Sequence, residues 1–188
     1  MMKNPYLYSY LPLLSILLYS LTFGIFAVSR AVELFQSIGL YAGLREFFTD
    51  MEIRVLLLFV IFLCFFMLFS ALKLIGETIH ETGMYFFSKD AEGKAVKAGR
   101  GGYAIFFIGG LVSTIAVQSL PMLLIIFALS LFCSFVYTIY KMSQYTSLPG
   151  MVGLIVFEVL FWAIFLAAVL FVCLKLYNGI LASLPFVQ

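Results

Sequence analysis

Apolar residues occur along this chain in five long, nearly uninterrupted runs, and polar residues gather in the stretches between them. The runs cover residues 7–29, 53–75, 103–119, 122–140 and 151–174. A helix needs about 20 mostly apolar residues to cross the roughly 30 Å hydrocarbon layer of a bilayer. Each run comes close to that length. The pattern therefore predicts an all-α integral membrane protein, a bundle of about five transmembrane helices that forms a single domain over residues 1–188.

The composition leaves no room for a second, soluble domain. Hydrophobic residues make up 64% of the 188 residues and charged residues 11%, whereas soluble domains carry about 25% charged residues. The longest connection between runs, residues 76–102, is too short to build a core of its own. The lysines are too thinly spread for a nucleic-acid interface. The expected surroundings are the lipid bilayer, with a homo-oligomer or another membrane subunit as partner, no nucleic acid and no cofactor.

Charge in the connections predicts the orientation of the helices. The loop after the second run carries four basic residues, at Lys89, Lys94, Lys97 and Arg100. Basic residues in short loops stay on the cytoplasmic side of the membrane. This places the N-terminus, with Lys3, and the loop with Lys141 inside, and the C-terminus, with Lys175, outside.

Residues 30–52 mix apolar side chains with six charges, and Gly39 and Gly43 interrupt them. We expect the first helix to run past the membrane to about Ile38. A short interfacial helix around Tyr41–Thr49 would follow on the outer surface, because an amphipathic segment of this kind lies in the headgroup plane. A re-entrant segment is the alternative.

Helix-breaking residues predict two further helix boundaries. No proline or glycine pair interrupts the helix that begins near Ile53 until residues 88–93, so we expect it to continue to about Phe87. Between the third and fourth runs, Pro121 suits the first turn of a helix. Residues 117–121 therefore predict a tight helical hairpin. A single long helix kinked at Pro121 is the rival, but it would be too long for the bilayer.

The only histidine lies in the sequence Glu77-Thr78-Ile79-His80-Glu81. Glu77 and His80 share one helical face, and a Glu-x-x-His pair is half of the carboxylate pattern that holds two metal ions in helical bundles. The full pattern needs a second such pair and two more glutamates, which a homodimer would have to supply in part. The alternative is a solvated helix extension with an i, i+4 pair between Lys73 and Glu77.

Glu158 is the one ionisable residue clearly inside a predicted span. Such residues are rare in membrane helices and are candidates for functional sites. Counting along the other spans brings Ser15, Ser70 and Ser134, with Gly109 and Gly110, to a similar depth. We therefore expect an internal polar site at Glu158, Ser15, Ser70 and Ser134, with no basic residue at that level. The alternative is a protonated glutamic acid that bonds to a neighbouring helix for structure alone.

The first helix carries a stripe of polar side chains spaced about 3.5 residues apart. A stripe with this period faces other helices or water rather than lipid. Helix packing is one interpretation and a polar path through the membrane is the other. Its members are Tyr8, Ser15, Tyr19, Thr22, Ser29 and Glu33.

The sequence over residues 11–24, the corner at residues 86–90 and the chain length are similar to those of the uncharacterised YufK-like multi-pass membrane proteins of Firmicutes. The resemblance covers most of the chain. It implies a location in the bacterial cytoplasmic membrane. It implies no activity, and no site residues come with it.

Two classes of function remain open from the sequence. The first is a non-enzymatic membrane component, either an accessory subunit or a small transport-type protein that works as an oligomer, since five helices leave little interior for a pore. The polar stripe and Glu158 support it. The second is an intramembrane metal-dependent enzyme that uses Glu77, His80 and Glu81, although three ligands in one chain are few for such a site.

Overall fold

The structure is a computed structural model that describes residues 7–88 and 93–183. Lys3 and Lys89, on which part of the predicted orientation depends, lie outside the described residues. Within them every regular element is helical. The helices are α1 (Leu7–Ser37), α2 (Leu40–Arg45), α3 (Asp50–Phe87), α4 (Lys94–Gly99), α5 (Gly102–Ser113), the 3-10 turn η1 (Thr114–Ala116), α6 (Leu120–Met142) and α7 (Leu148–Ser183).

Local sequence explains where the long helices start. At the start of α3, the Thr49 hydroxyl accepts a hydrogen bond from the Glu52 backbone N–H, and the Glu52 carboxylate accepts one from the Thr49 N–H. This reciprocal capping box satisfies two backbone donors that a helix start leaves unpaired. Pro121 lies in the first turn of α6, where its missing N–H costs nothing.

Four helices are long and apolar enough to cross a membrane, judged by length and composition over the described residues: α1, α3, α6 and α7. The third apolar run forms the shorter helix α5, of 12 residues, which continues into η1. Together these two elements span about 24 Å. The all-α membrane class is confirmed, and five crossings remain a prediction.

The contacts of α1 give the direction of its neighbours. Gly24 lies against Phe62, and Tyr19 packs on Phe69 further along α3, so α1 and α3 are antiparallel. In contrast, Leu18 approaches Gly110 of α5, and Thr22 bonds to Ser113 one turn later, which makes α1 and α5 parallel. The hairpin prediction is confirmed, because α5 and α6 are separate helices joined by a short turn.

The remaining pairs complete an alternating arrangement. Gly102 of α5 meets Ser134, and Gly109 meets Ser130, so α5 and α6 are antiparallel. Helix α7 runs antiparallel to α3, since Gly76 lies against Trp162 and Gly83 lies against Leu154. Helices α1, α5 and α7 therefore point one way, and α3 and α6 point the other way, which is the order that five successive crossings require.

The centre of the bundle is a cluster of aromatic rings contributed by α1, α3, α5 and α6. The Tyr19 ring is fully buried, and its centroid lies 5.0 Å from that of Phe106 and 5.1 Å from that of Phe127. Phe69 also packs against Phe127, at 5.2 Å. Such pairs are worth about 0.5–1.5 kcal/mol each beyond the area they bury. We call this group, together with Phe23 and Leu123, the central aromatic cluster.

Two smaller clusters lie at opposite ends of the bundle. Val28, Val32, Tyr41 and Ile53 pack where α1, α2 and α3 meet. Met84, Ala95, Met142 and Leu154 pack at the other end, where α3, α4, α6 and α7 meet. Each end of the molecule therefore has its own small apolar core beyond the central aromatic cluster.

The predicted helix ends can be compared directly with the structure. The overrun of the first helix to about Ile38 is confirmed by the end of α1 at Ser37, and the continuation of the second helix to Phe87 is confirmed by the end of α3. The helix expected around Tyr41–Thr49 is present but shorter, because Thr49 serves as the cap of α3. Its location in the headgroup plane, rather than in a re-entrant segment, stays a prediction.

The orientation is tested by reporter fusions. We expect a reporter at Lys94 to be cytoplasmic and one at the C-terminus to be on the outer side, because the odd number of crossings separates these two points. Alkaline phosphatase and a fluorescent protein, fused in parallel at each point, give opposite readouts. A cytoplasmic C-terminus would contradict five crossings and would mean either that a span is missing or that residues 30–52 cross the membrane.

Candidate functional site

A short polar contact between separate helices joins α3 to α7. His80 Nδ1 lies 2.5 Å from Glu158 Oε1. The Glu158 side chain is only 7% exposed, and the His80 side chain is 21% exposed. The two residues are 78 positions apart in the sequence, so the fold alone brings them together. We call them the His80–Glu158 pair.

Glycines on α3 let α7 come close enough for this contact. A Cβ added to Gly83 would lie 2.5 Å from Leu154 Cδ1 and 3.1 Å from Phe157 Cδ1. One turn on the other side of His80, a Cβ on Gly76 would be 3.4 Å from the Trp162 ring. Small residues at helix crossings allow the backbones to approach. The crossing therefore fixes the spacing at which the imidazole and the carboxyl group meet.

The pair needs at least one proton to form its hydrogen bond. Either the Nδ1–H group donates to the Glu158 carboxylate, or the Glu158 carboxyl group donates to an unprotonated Nδ1. Removing one partner of a buried pair leaves the other uncompensated, which typically costs more than the pair itself gains. The contact between α3 and α7 therefore depends on both side chains and on the proton between them.

The expectation that Glu158 has no basic partner is wrong, since His80 provides one. The apolar runs place His80 beyond the second span and Glu158 within the fifth, but α7 begins at Leu148 and its first turns lie beside the end of α3. The long overrun of α3 carries His80 to the level of Glu158. A usable signal was present in the sequence, because the only histidine and the only glutamate inside a predicted span are natural partners.

A second polar array lies on α3, one to two turns before His80. Lys73 Nζ pairs with Glu77 Oε2 at 2.7 Å, as the i, i+4 spacing predicts. The Tyr103 hydroxyl of α5 donates to Glu77 Oε1 at 2.8 Å. Glu77 therefore links α3 to α5 and is only partly exposed to solvent. Ser70, one turn before Lys73, lines a groove with both.

The predicted polar site at Glu158, Ser15, Ser70 and Ser134 does not form one hydrogen-bonded group. Ser15 donates to the Leu11 carbonyl in its own helix, and Ser134 donates to the Gly102 carbonyl of α5. Ser70 lies in the groove beside Lys73. Glu158 has His80 as its bonded partner, while the serines serve other contacts.

The polar stripe of α1 is a packing face along its middle. Ser15, Tyr19 and Thr22 are buried, and Tyr19 donates to Ser130 Oγ at 2.9 Å. The Thr22 and Ser113 hydroxyls are 3.1 Å apart. Ser29 and Glu33, further along the stripe, are exposed, and the Tyr8 side chain lies outside the part of the chain whose burial is described. The buried members bond to their neighbours, as the packing interpretation requires.

The residues considered for a metal site are engaged separately. Glu77 binds Lys73 and Tyr103, His80 contacts Glu158, and Glu81 is exposed. Over residues 7–88 and 93–183, no group of three or more His, Cys, Asp or Glu side chains is placed to hold a metal ion. The alternative interpretation, a solvated helix extension, keeps its Lys73–Glu77 pair and an exposed Glu81. His80 and Glu77 depart from it, because each is partly buried and bonds to another helix.

Comparisons with known proteins agree on the family and name no activity for it. Residues 28–185 match a family of unknown function, DUF5366. The chain is 40% identical over 184 residues to the uncharacterized membrane protein YufK of Bacillus subtilis strain 168, an alignment that covers 98% of this chain and all of the relative. No solved structure matches. The resemblance seen in the sequence is therefore confirmed.

Proposed function

Taking as our premise that this chain belongs to the DUF5366 family, together with YufK of Bacillus subtilis, we propose that it is a non-enzymatic, multi-pass component of the bacterial cytoplasmic membrane that works as an oligomer. Its role is that of an accessory subunit or of a small transport-type protein. Membership of a membrane protein family and the apolar helices support the general class. The proposal that it works as an oligomer rests on the position of α7.

The observation that carries the proposal is the exposure of the second half of α7. Every residue from 166 to 180 is exposed, a stretch of about 22 Å. The first half of the same helix packs on α3. A single apolar helix is stable in lipid without a partner, but this one also presents Ala163 and Ala167 on its exposed surface. Small residues in this spacing favour close helix packing.

The filled interior of the bundle also supports an oligomer. The central aromatic cluster occupies the space between α1, α3, α5 and α6, so a polar solute has no path along the axis of that cluster. A transport route in this protein would have to lie between protomers. A second copy of the chain, docked through α7, is therefore the partner we propose.

The three cysteines allow a direct test of this contact. Cys64, Cys133 and Cys173 lie on α3, α6 and α7, and all three are exposed. We expect the variant that retains only Cys173 to form a disulfide-linked dimer when membranes are treated with copper phenanthroline. The variants that retain only Cys64 or only Cys133 are matched controls and should remain mostly monomeric on non-reducing gels.

A series of variants carries the single cysteine at each position from 169 to 176, which samples every side of α7 over two turns. The series therefore tests each side of the helix as the contact surface. The homo-oligomer is contradicted if no position in this series crosslinks above the level of the Cys64-only control. It is also contradicted if crosslinked products form in native membranes but not with purified protein in vesicles, because the partner would then be a different membrane subunit.

A further inference from the structure

A groove between α1 and α3 combines apolar walls with an ordered set of polar groups. Its volume is about 310 Å³, and Pro12, Leu13 and Ile16 of α1 form one side. Leu74 and three polar residues of α3 form the other side: Ser70, Lys73 and Glu77. These three recur at i, i+3 and i+7, so they follow one face of the helix over about 10 Å. We call it the α1–α3 groove.

The Ser70 hydroxyl is available to a ligand. Most hydroxyls inside these helices donate to a carbonyl of their own helix, as Ser15, Ser20 and Ser130 do. Ser70 is only partly exposed, and it makes no such bond to any described residue. A partly exposed hydroxyl that has no partner in the protein can donate to a ligand acceptor in the groove without first breaking a bond within the protein.

The charges in the groove balance one another. Lys73 and Glu77 form an ion pair at 2.7 Å, and their side chains are 35% and 36% exposed. The Tyr103 hydroxyl holds the second Glu77 oxygen. An anionic ligand would gain the Lys73 ammonium but would also meet the Glu77 carboxylate. A ligand with one positive and one negative group avoids this repulsion, because each group faces its opposite.

The position of the groove along the helices suits an amphiphile. Residues 55–72 of α3 carry no charge, so Lys73 and Glu77 mark the point where the helix leaves the hydrocarbon layer. Leu13 and Leu74 are exposed beside them. A polar group at this level and an acyl chain along the leucines would both be in their preferred surroundings.

From these observations we propose that the α1–α3 groove binds the headgroup of a zwitterionic aminophospholipid. The Lys73 ammonium and the Ser70 hydroxyl donate to the lipid phosphate, and the Glu77 carboxylate accepts hydrogen bonds from the lipid ammonium. A primary ammonium has three N–H donors for this carboxylate, whereas a trimethylated one has none. The site therefore selects phosphatidylethanolamine over phosphatidylcholine and over the anionic phosphatidylglycerol.

The test measures which lipids stay with the purified full-length protein. The protein is reconstituted in nanodiscs of equal parts phosphatidylethanolamine, phosphatidylcholine and phosphatidylglycerol, released into detergent, and analysed by native mass spectrometry. We expect phosphatidylethanolamine to be retained at least about threefold over either competitor. Ser70→Ala and Lys73→Gln should each reduce this enrichment.

Glu77→Gln gives the sharpest outcome. It leaves Lys73 without its counter-charge, so the preference should change from phosphatidylethanolamine to phosphatidylglycerol. Glu33→Gln is the matched control, because Arg30 and Glu33 form an exposed i, i+3 pair at the opposite end of α1, and it should leave the lipid ratio unchanged.

Three results would overturn the proposal. The first is equal retention of the three lipids by the parent protein. The second is an unchanged ratio in Glu77→Gln when its thermal unfolding shows that it is folded. The third is an equal change in Glu33→Gln. Ser70→Ala removes one oxygen without altering charge, so it keeps the test decisive if Glu77→Gln does not fold.

Discussion

Replacing Glu158 by lysine should destabilise the folded protein by about 2–3 kcal/mol, roughly the cost of leaving a buried polar group without its hydrogen-bond partner. The carboxyl group is buried and bonded to His80. Lysine loses this hydrogen bond and brings a second basic group against the imidazole. Thermal unfolding in detergent micelles, followed by circular dichroism, measures the loss.

Two further variants separate the bond from the charge. Glu158→Gln keeps a side chain that can donate to Nδ1 or accept from it, so its stability should stay near that of the parent. The double variant His80→Glu with Glu158→Lys reverses the polarity of the pair and should recover at least half of the loss. A Glu158→Lys protein as stable as the parent would contradict a buried pair between α3 and α7.

The second large effect is expected at Gly109, where α1, α5 and α6 meet. A Cβ at this position would overlap Ser130 Oγ and would lie 2.6 Å from the Tyr19 hydroxyl oxygen. Gly109→Val should therefore separate the three helices and destabilise the protein by about 2–3 kcal/mol, in the range of overpacked cores. The Tyr19–Ser130 hydrogen bond should be lost as well.

Gly43→Val on α2 provides the matched control. Nothing lies within 4 Å of a Cβ added there, so the same change in a helix should shift the midpoint of thermal unfolding very little. Equal shifts for the two variants would show that helix propensity, rather than the close approach at Gly109, sets the effect.

The long helices could be predicted because their causes are local. Apolar runs define α1, α3, α6 and α7, and the stops near Ile38 and Phe87 follow from Gly39 and from the polar, glycine-containing sequence of residues 88–93. The prediction for the third apolar run was less accurate. Its length suggested a full span, but α5 ends at Ser113 and a 3-10 turn follows, which hydropathy alone does not distinguish from a continuous helix.

The candidate site depended on contacts between distant parts of the chain. Glu158 was identified from its position in an apolar run, and it is buried as expected. Its partner was not predicted, because nothing in the apolar run that contains Glu158 shows that the first turns of α7 lie beside the end of α3. Likewise the bond from Tyr103 to Glu77 joins residues 26 positions apart, and no periodicity in the sequence indicates it.

The central aromatic cluster also bears on how the protein is made. Its buried members come from α1, α3 and α6, and the side chains packed against them come from α5 and α6. Helix α7 is the last described helix to be synthesised and contributes no residue to that cluster. Every residue of the cluster has therefore been synthesised before α7 enters the membrane. Helix α7 can be added to an assembled bundle, where it packs against the glycines of α3.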